Sequence, residues 1–184
     1  MRYGLKNLYY SKLSVTTAGP SYDTPVAIPG AVALDMSPEG DTYIKYADNI
    51  QYFVKAVNNG YSGTVEVADL PATFFTDILG ETVALGNGIT YETSDGTASQ
   101  FALLFQFEGD VAAQRHVLYN CTAQRPNITG NTTEEQIEIQ DDTLNITVSP
   151  LPYNSENIVK AKCKYDDAAY SSWFSSVTLP AATT

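Results

Sequence analysis

The sequence predicts a mainly β fold in a single domain, accompanied by one or two short α-helices. The chain has 184 residues, 43% of them hydrophobic, which is enough to bury one core. Runs of four to eight residues rich in Thr, Val, Ile, Tyr and Phe recur along it, separated by Gly, Pro, Asn and Asp. We assign residues 1–177 to this domain and residues 178–184 to a short Pro/Ala/Thr tail.

The first half of the chain contains four strand patterns. They are Val26–Met36, Thr42–Ala47, Gln51–Val57 and Tyr61–Ala68. Pro29 and Gly30 interrupt the first pattern, which favours a bent strand or an edge strand. Residues 58–60 (Asn-Asn-Gly) predict a turn that tolerates positive φ. We therefore expect residues 51–68 to form a hairpin, with Val65 and Val67 on its apolar face and Glu66 on its polar face.

The second half contains four more strand patterns, Phe101–Phe107, Arg115–Arg125, Thr143–Ser149 and Asn157–Tyr165. Phe101–Phe107 is the most hydrophobic run, which is typical of a central strand. Thr143–Ser149 alternates apolar and polar residues, as a half-buried strand does. In the last pattern a basic ladder of Lys160, Lys162 and Lys164 lies opposite Val159, Ala161 and Cys163.

Two segments carry the spacing of amphipathic helices. The first covers about residues 70–79, where Asp69 is a candidate N-cap, Pro71 lies in the opening turn and Gly80 ends the helix. The second covers residues 166–177, with Tyr170, Trp173, Phe174 and Val177 at i, i+3, i+4 and i+7. We expect both aromatic stripes to pack in the core.

Charge is segregated along the chain, whose net charge is −11. Residues 56–114 contain eight acidic side chains and no Lys or Arg, and residues 126–159 contain six more acids without a base. The other seven acids share the rest of the chain with all ten bases. This pattern predicts one negative surface. It argues against a nucleic-acid-binding protein, because binding of nucleic acid requires basic side chains that neutralise phosphates.

The residues offer little material for catalysis. His116 is the one histidine, which leaves no His-based metal site or Ser-His-Asp triad, and we interpret it as a structural or surface residue. Cys121 and Cys163 are interpreted as buried thiols, with a disulfide as the alternative. A carboxylate pair such as Glu134 and Asp142, or a calcium site at 141–142, lacks any supporting motif. We expect no enzyme, no catalytic or metal-binding residues and no cofactor.

Several long segments resemble one known family. They are MRYGLKNLYYSKL, TPVAIPGAVALDMSPEGDTYIKYADNIQYF, NNGYSGTVEVADLP with FFTDILG, QFALLFQFEGDVAAQRHVLYNCTAQRP and the closing WFSSV. Together they resemble the major tail protein family of long-tailed phages and prophages of Gram-positive bacteria. The resemblance runs in order from Met1 to about Val177. Residues 85–100 and 129–140 match no fixed pattern of the family.

The resemblance implies a tail tube protein of a siphophage virion. In that family a β-sandwich or barrel with a flanking helix assembles into hexameric rings, and its strands join an inter-subunit β-barrel. The rings stack into a tube through which DNA passes without specific binding. The implied partners are further copies of this chain, the tape measure, the tail terminator and baseplate or distal tail proteins. We expect assembly in the host cytoplasm, because the opening segment lacks an apolar signal region. We expect no membrane insertion, because no run approaches the roughly 18 continuous apolar residues of a membrane span.

Two sets of residues are candidates for roles in such a tube. The candidates for facing the lumen are acidic: Glu66, Glu134, Glu135, Glu138, Asp141 and Asp142. A solvated outer loop is the alternative for the last five. The candidates for an inter-subunit or inter-ring contact lie within residues 37–49: Glu39, Asp41, Tyr43, Lys45, Tyr46 and Asp48. The ladder of Lys160, Lys162 and Lys164 should avoid the lumen, since it would attract DNA.

Three other functions stay open at this point. A tube of the same build could belong to a contractile or secretion-like injection particle. A carbohydrate-binding β-sandwich module is favoured by thirteen tyrosines and by four Asn-X-Thr sequons, at Asn120, Asn127, Asn131 and Asn145. An acidic hydrolase would need an assembled site, which the sequence does not indicate.

Overall fold

The computed structural model describes residues 3–130 and 140–181. Within them the chain is mainly β, with fifteen strands and one α-helix. The elements are β1 (Leu5–Thr16), β2 (Gly19–Tyr22), β3 (Val26–Ala27), β4 (Ala31–Glu39), β5 (Thr42–Ala47), β6 (Ile50–Ala56), β7 (Gly60–Val67), α1 (Ala72–Asp77), β8 (Thr82–Val83), β9 (Thr90–Tyr91), β10 (Phe101–Phe107), β11 (Arg115–Ala123), β12 (Asp142–Val148), β13 (Leu151–Tyr153), β14 (Glu156–Ile158) and β15 (Lys160–Cys163).

Nine of these strands form one sheet. Its main path is β2-β1-β10-β11-β12-β7-β4, with β3 added to β1 and β15 added to β11. All the pairings are antiparallel. Along β11, residues 115–118 pair with β15 and residues 121–123 pair with β12. The remaining strands pair in twos, β5 with β6, β8 with β9 and β13 with β14.

The sheet has a hydrophobic core on each face, and β10 contributes to both. Phe101, Leu103 and Phe105 belong to the first core, together with side chains of α1. Ala102 and Leu104 belong to the second core. Burial on both faces explains why β10 is a continuous apolar run, and it confirms the central strand that the sequence predicted.

Helix α1 confirms the first predicted helix, although it is shorter than residues 70–79. Phe74 is fully buried and meets the rings of Tyr10 and Phe101 edge to face, with centroids 5.1 and 5.6 Å apart. The expected cap was wrong, because Pro71 is the N-cap residue and no side chain caps the helix. Gly80, with φ of +79°, follows the helical turn as predicted.

The second predicted helix, residues 166–177, was wrong. This segment is a series of turns whose N–H groups bond three residues back, as from Tyr170 to Asp167 (3.0 Å) and from Trp173 to Tyr170 (3.3 Å). Serines compete with helical bonding here, since the Ser172 hydroxyl donates to the Ala169 carbonyl. The aromatic stripe is nevertheless packed as expected, because Trp173 is 4% exposed in the second core and its indole N–H donates to the carbonyl of His116.

The predicted hairpin over residues 51–68 was also wrong. Strand β6 pairs with β5, whereas β7 pairs with β4 on one side and β12 on the other. The chain reverses between Ala47 and Ile50, at Asp48 and Asn49, whose φ angles are +52° and +60°. Positive φ at both central residues gives a turn that matches the twist of a hairpin. Residues 58–60, which we expected to form the turn, lie between β6 and β7, where Asn58 Oδ1 accepts a bond from the N–H of Gly60.

The remaining strand predictions agree with the structure, except that the pattern over residues 157–165 is divided into β14 and β15, which pair with β13 and β11. The pattern over residues 26–36 is divided at Pro29 and Gly30 into β3 and β4, and β4 is the last strand of the sheet order. Strands β12 and β15 show the expected alternation of buried and exposed side chains. Beyond residue 177, Leu179 packs against the second core and the carbonyl of Thr178 accepts a bond from the Tyr119 hydroxyl at 2.8 Å.

Strand β7 lies so close to β4 that residue 63 must be glycine. A Cβ at Gly63 would lie 1.9 Å from the carbonyl oxygen of Asp35 and 2.9 Å from the Cα of Met36. Gly63→Ala should therefore push the two strands apart and lower the free energy of unfolding by about 1–3 kcal/mol. Urea unfolding followed by circular dichroism measures this. Gly130→Ala is the matched control, because a Cβ there meets nothing within 4 Å; equal stability of the two variants would contradict the close approach.

Candidate assembly surfaces

Strands β4 and β7 continue beyond the sheet as one long two-stranded ribbon. Their pairing runs from Ala31 opposite Val67 to Glu39 opposite Gly60. Two backbone bonds extend it, from the N–H of Asn59 to the carbonyl of Glu39 (2.8 Å) and from Val57 to Asp41 (3.0 Å). The pairing of β5 with β6 then begins. The β5–β6 hairpin (Thr42–Ala56) is therefore the free end of a ribbon whose other end is part of the sheet.

The β5–β6 hairpin is exposed on both faces. Every residue of its two strands except Ala47 is classed as exposed. The exposed set includes seven large apolar side chains, each between 44% and 72% accessible: Tyr43, Ile44, Tyr46, Ile50, Tyr52, Phe53 and Val54. A two-stranded hairpin is marginally stable by itself in water, and a concentration of exposed apolar side chains marks an interaction surface. This hairpin is the strongest candidate for a contact with another chain.

The two faces of the β5–β6 hairpin differ in charge. Cross-strand pairs share a face, so Ile44 with Val54 and Thr42 with Ala56 define one side, which we call the uncharged face. Tyr43 with Lys55 and Lys45 with Phe53 define the other side, which we call the lysine face. The acids of this region lie at the two ends of the hairpin, Asp41 at its base and Asp48 in its turn.

A second candidate surface is the outer face of strands β4, β7 and β12. Its acidic members are Asp35, Glu39 and Glu66, and these three strands contain no Lys or Arg. Most of the other outward side chains are hydroxyls and an amide, such as Thr64, Thr143, Asn145 and Thr147. The side chains that alternate with them enter the first core. We call this surface the acidic sheet face. It is a polar wall that carries only negative charge.

The structure places the predicted lumen candidates in different environments. Glu66 lies on the acidic sheet face, and its neighbours Val65 and Val67 are buried behind it, as the alternation predicted. Asp142 begins β12, and its carboxylate accepts a bond from the N–H of Leu70 at 3.0 Å. Asp141 is exposed immediately before it. Glu134, Glu135 and Glu138 lie outside the described residues. A lumenal role for any of these acids stays a prediction.

The predicted contact residues gather on and beside the β5–β6 hairpin. Tyr43, Lys45 and Tyr46 are on β5, and Asp41 and Asp48 are at the ends of the hairpin. Glu39 ends β4 on the acidic sheet face, where its carboxylate accepts a bond from the Ser62 hydroxyl. The sequence predicted a strand over residues 51–57 but gave it the wrong partner and no contact role. Ile50, Tyr52, Phe53 and Val54 of β6 are as exposed as the side chains of β5. An Asp-Asn pair between two strand patterns was the signal that could have revealed the pairing of β6 with β5.

A groove opens at the edge of the first core, near the base of the β5–β6 hairpin. Its volume is about 420 Å³, and its lining includes Leu34, Met36, Tyr61, Phe107 and the stacked pair of Phe105 and His116. Those two rings lie 5.2 Å apart, which gives His116 a packing role. Lys160 and Lys162 of the predicted basic ladder form part of the rim. The groove and the acidic sheet face lie on opposite sides of the sheet, so these two lysines are separated from Glu66.

Lys160 is held at this rim by an aromatic contact. Its ammonium group donates a 2.5 Å hydrogen bond to the hydroxyl of Tyr61 and lies 4.5 Å from the centroid of the same ring. Lys162 is exposed beside it, opposite His116 in the pairing of β15 with β11. No salt bridge to either lysine is formed within the described parts of the chain. The rim of the groove is therefore positively charged.

The side chains that commonly bind metal ions do not converge in the described structure. Across residues 3–130 and 140–181, no group of three or more His, Cys, Asp or Glu side chains is arranged to hold a metal ion. Cys121 and Cys163 are free buried thiols, as expected, and burial raises the pKa of both. Asn120, one of the four sequon asparagines, is 6% exposed, which leaves no access for a glycan in the folded chain. None of the described helices has the length and apolarity needed to cross a membrane.

Comparison with known proteins gives a weak structural likeness. No protein-family model and no curated protein matches the chain. Among solved structures, a chain in the six-fold symmetrised cryo-EM structure of the anti-feeding prophage baseplate is similar to 90% of this chain, over 96% of its own length. The TM-score is 0.48 and the sequence identity is 10%. At these values the likeness supports no conclusion about fold or function.

The bond between Asp142 and Leu70 predicts a structural role for one lumen candidate. Asp142→Ala should leave the buried N–H of Leu70 without its acceptor and lower the free energy of unfolding by about 1–2 kcal/mol. Thermal unfolding of the two variants Asp142→Ala and Asp141→Ala tests this. Asp141 is the matched control because it is adjacent, acidic and exposed. A melting temperature lowered equally in both would argue against the specific bond.

Proposed function

We propose that this protein is a structural tail tube protein whose copies form hexameric rings that stack into a conduit for DNA. The observation that carries the proposal is the β5–β6 hairpin, a ribbon end with seven large apolar side chains exposed on its two faces. The resemblance of residues 1–177 to phage major tail proteins supports the same function. A monomer that remained alone in solution would leave this apolar surface in water.

The edge of the sheet supports self-assembly in a second way. Strand β4 is the last strand of the sheet order, so over residues 31–39 one side of its backbone is not part of that ladder. Exposed edges accept further strands, and closing a sheet into a barrel removes the edges. Strand addition from neighbouring copies would satisfy the edge of β4 and would generate a continuous barrel around a ring.

The acidic sheet face supports a lumen that DNA can pass without binding. Duplex DNA carries about one negative charge per 1.7 Å of its axis, so a wall with carboxylates and no bases repels it. Salt screens this repulsion beyond about 8 Å under physiological conditions. A wall with the charge of Asp35, Glu39 and Glu66 would therefore act at short range, preventing adhesion without propelling the DNA.

The assembly can be tested by removing the β5–β6 hairpin. Residues 41–57 are replaced by an Asn-Gly turn, which lets β4 and β7 remain paired because their ladder lies wholly outside the deletion. We expect the complete chain to form rings or tubes in negative-stain electron microscopy and the shortened chain to be a folded monomer by light scattering. Circular dichroism and thermal unfolding establish that the shortened chain is folded.

Two results would contradict the proposal. One is a complete chain that stays monomeric at every concentration, with or without phage tail components that initiate polymerisation. The other is a shortened chain that assembles as readily as the complete one. Micrographs of whole particles also separate a bare tube from a tube surrounded by a contractile sheath.

The lumenal position of Glu66 has its own test. Phage particles built with Glu66→Lys should eject DNA several-fold more slowly while their tubes remain intact, because the new base attracts phosphate. Ejection is measured by the fluorescence of a DNA-binding dye after addition of receptor. Glu156→Lys is the control, since Glu156 is an exposed acid on β14, outside the acidic sheet face. Equal ejection rates in both variants and in the parent would place Glu66 elsewhere.

A further inference from the structure

We infer that the uncharged face of the β5–β6 hairpin of one copy occupies the groove of a second copy. The inference rests on the proposed self-assembly and specifies which two surfaces meet. It joins the exposed apolar side chains of the β5–β6 hairpin to an open groove of the same chain whose lining is mostly apolar. Such a contact between two different surfaces of identical subunits is heterologous, and it closes into a ring when the rotation between subunits allows it.

The groove is shaped for an apolar occupant. Leu34, Met36, Tyr61 and Phe107 are only partly buried, and all four pack against the first core. A side chain inserted among them would extend that core and remove their remaining surface from water. With a volume of about 420 Å³ the groove accommodates a few side chains and no complete element. The tip or one face of a hairpin fits that description.

The chain's own hairpin does not fill the groove. None of the residues of β5 or β6 lines it, and Ile44 and Val54 remain 44% and 54% exposed. The hairpin leaves the sheet at Glu39 and Gly60, next to Tyr61 at the groove, and extends away from the body. A hairpin from a second copy can approach the groove from outside, with its register already set by its own turn.

Charge selects the face that enters. Lys160 and Lys162 make the rim positive, so the lysine face, with Lys45 and Lys55, would be repelled. The uncharged face presents Ile44 and Val54 to the groove and directs both of its own lysines away from the rim. The complementarity therefore favours the uncharged face.

Cross-linking between variants that each carry one added cysteine tests this contact. Val54→Cys places a thiol on the uncharged face, and Lys162→Cys places one at the rim. The two purified variants are mixed and treated with a short bismaleimide, so a link between positions 54 and 162 joins different chains. Phe53→Cys replaces Val54→Cys in the control. Phe53 is 51% exposed on the lysine face, which matches the 54% of Val54.

We expect the mixture containing Val54→Cys to yield at least fivefold more dimer of the 54–162 type than the mixture containing Phe53→Cys, with mass spectrometry identifying the linked peptides. The parent chain should yield none, because Cys121 and Cys163 are buried. The inference would be overturned if rings or tubes formed without the 54–162 link, or if position 53 were linked to position 162 as efficiently as position 54. Either result would leave the proposed self-assembly intact. A mixture that stays monomeric by light scattering would overturn both.

Discussion

The backbone ladder between β4 and β7 is the constraint on which the other features depend. Strand β7 is bonded on its other side to β12, so the ribbon that carries the β5–β6 hairpin is fixed to the end of the nine-stranded sheet. The same ladder sets which side chains point outward, which gives the acidic sheet face, and which enter the first core. Gly63 allows the two strands to approach closely enough for this arrangement. A shift of one residue in the ladder would exchange the core and the acidic wall.

The sequence predicted the faces of strands better than it predicted their partners. Alternation is a local property, so the burial of Val65 and Val67 beside Glu66 could be foreseen, as could the double burial of β10. Pairing depends on residues distant in sequence. Two segments after residue 47 have the composition of a turn, residues 48–49 and residues 58–60. The turn at Asp48 and Asn49 prevailed, which displaced the predicted hairpin by one strand.

The sequence predicted only part of the candidate surfaces, because exposure, like strand pairing, depends on residues distant in sequence. Residues 42–47 and 51–57 have the composition of ordinary strands, and their exposure reflects missing neighbours, a property that composition does not encode. The second helix failed because an aromatic stripe at i, i+3 and i+4 also suits successive tight turns, once serines compete for the backbone. The burial of Trp173 was predictable from the sequence, whereas the turn conformation of the backbone around it was not.

The exposure of the β5–β6 hairpin also affects the newly made chain, before it meets any partner. Two aromatic strands that pair only with each other in the described chain are a template for disordered aggregation as well as for ordered assembly. Lys45 and Lys55 interrupt the apolar surface on one face, in the manner of gatekeeper residues that oppose indiscriminate stacking. In the proposed assembly the hairpin would combine an adhesive apolar surface with a charge that opposes early contact, so the concentration of folded chain would set when polymerisation begins.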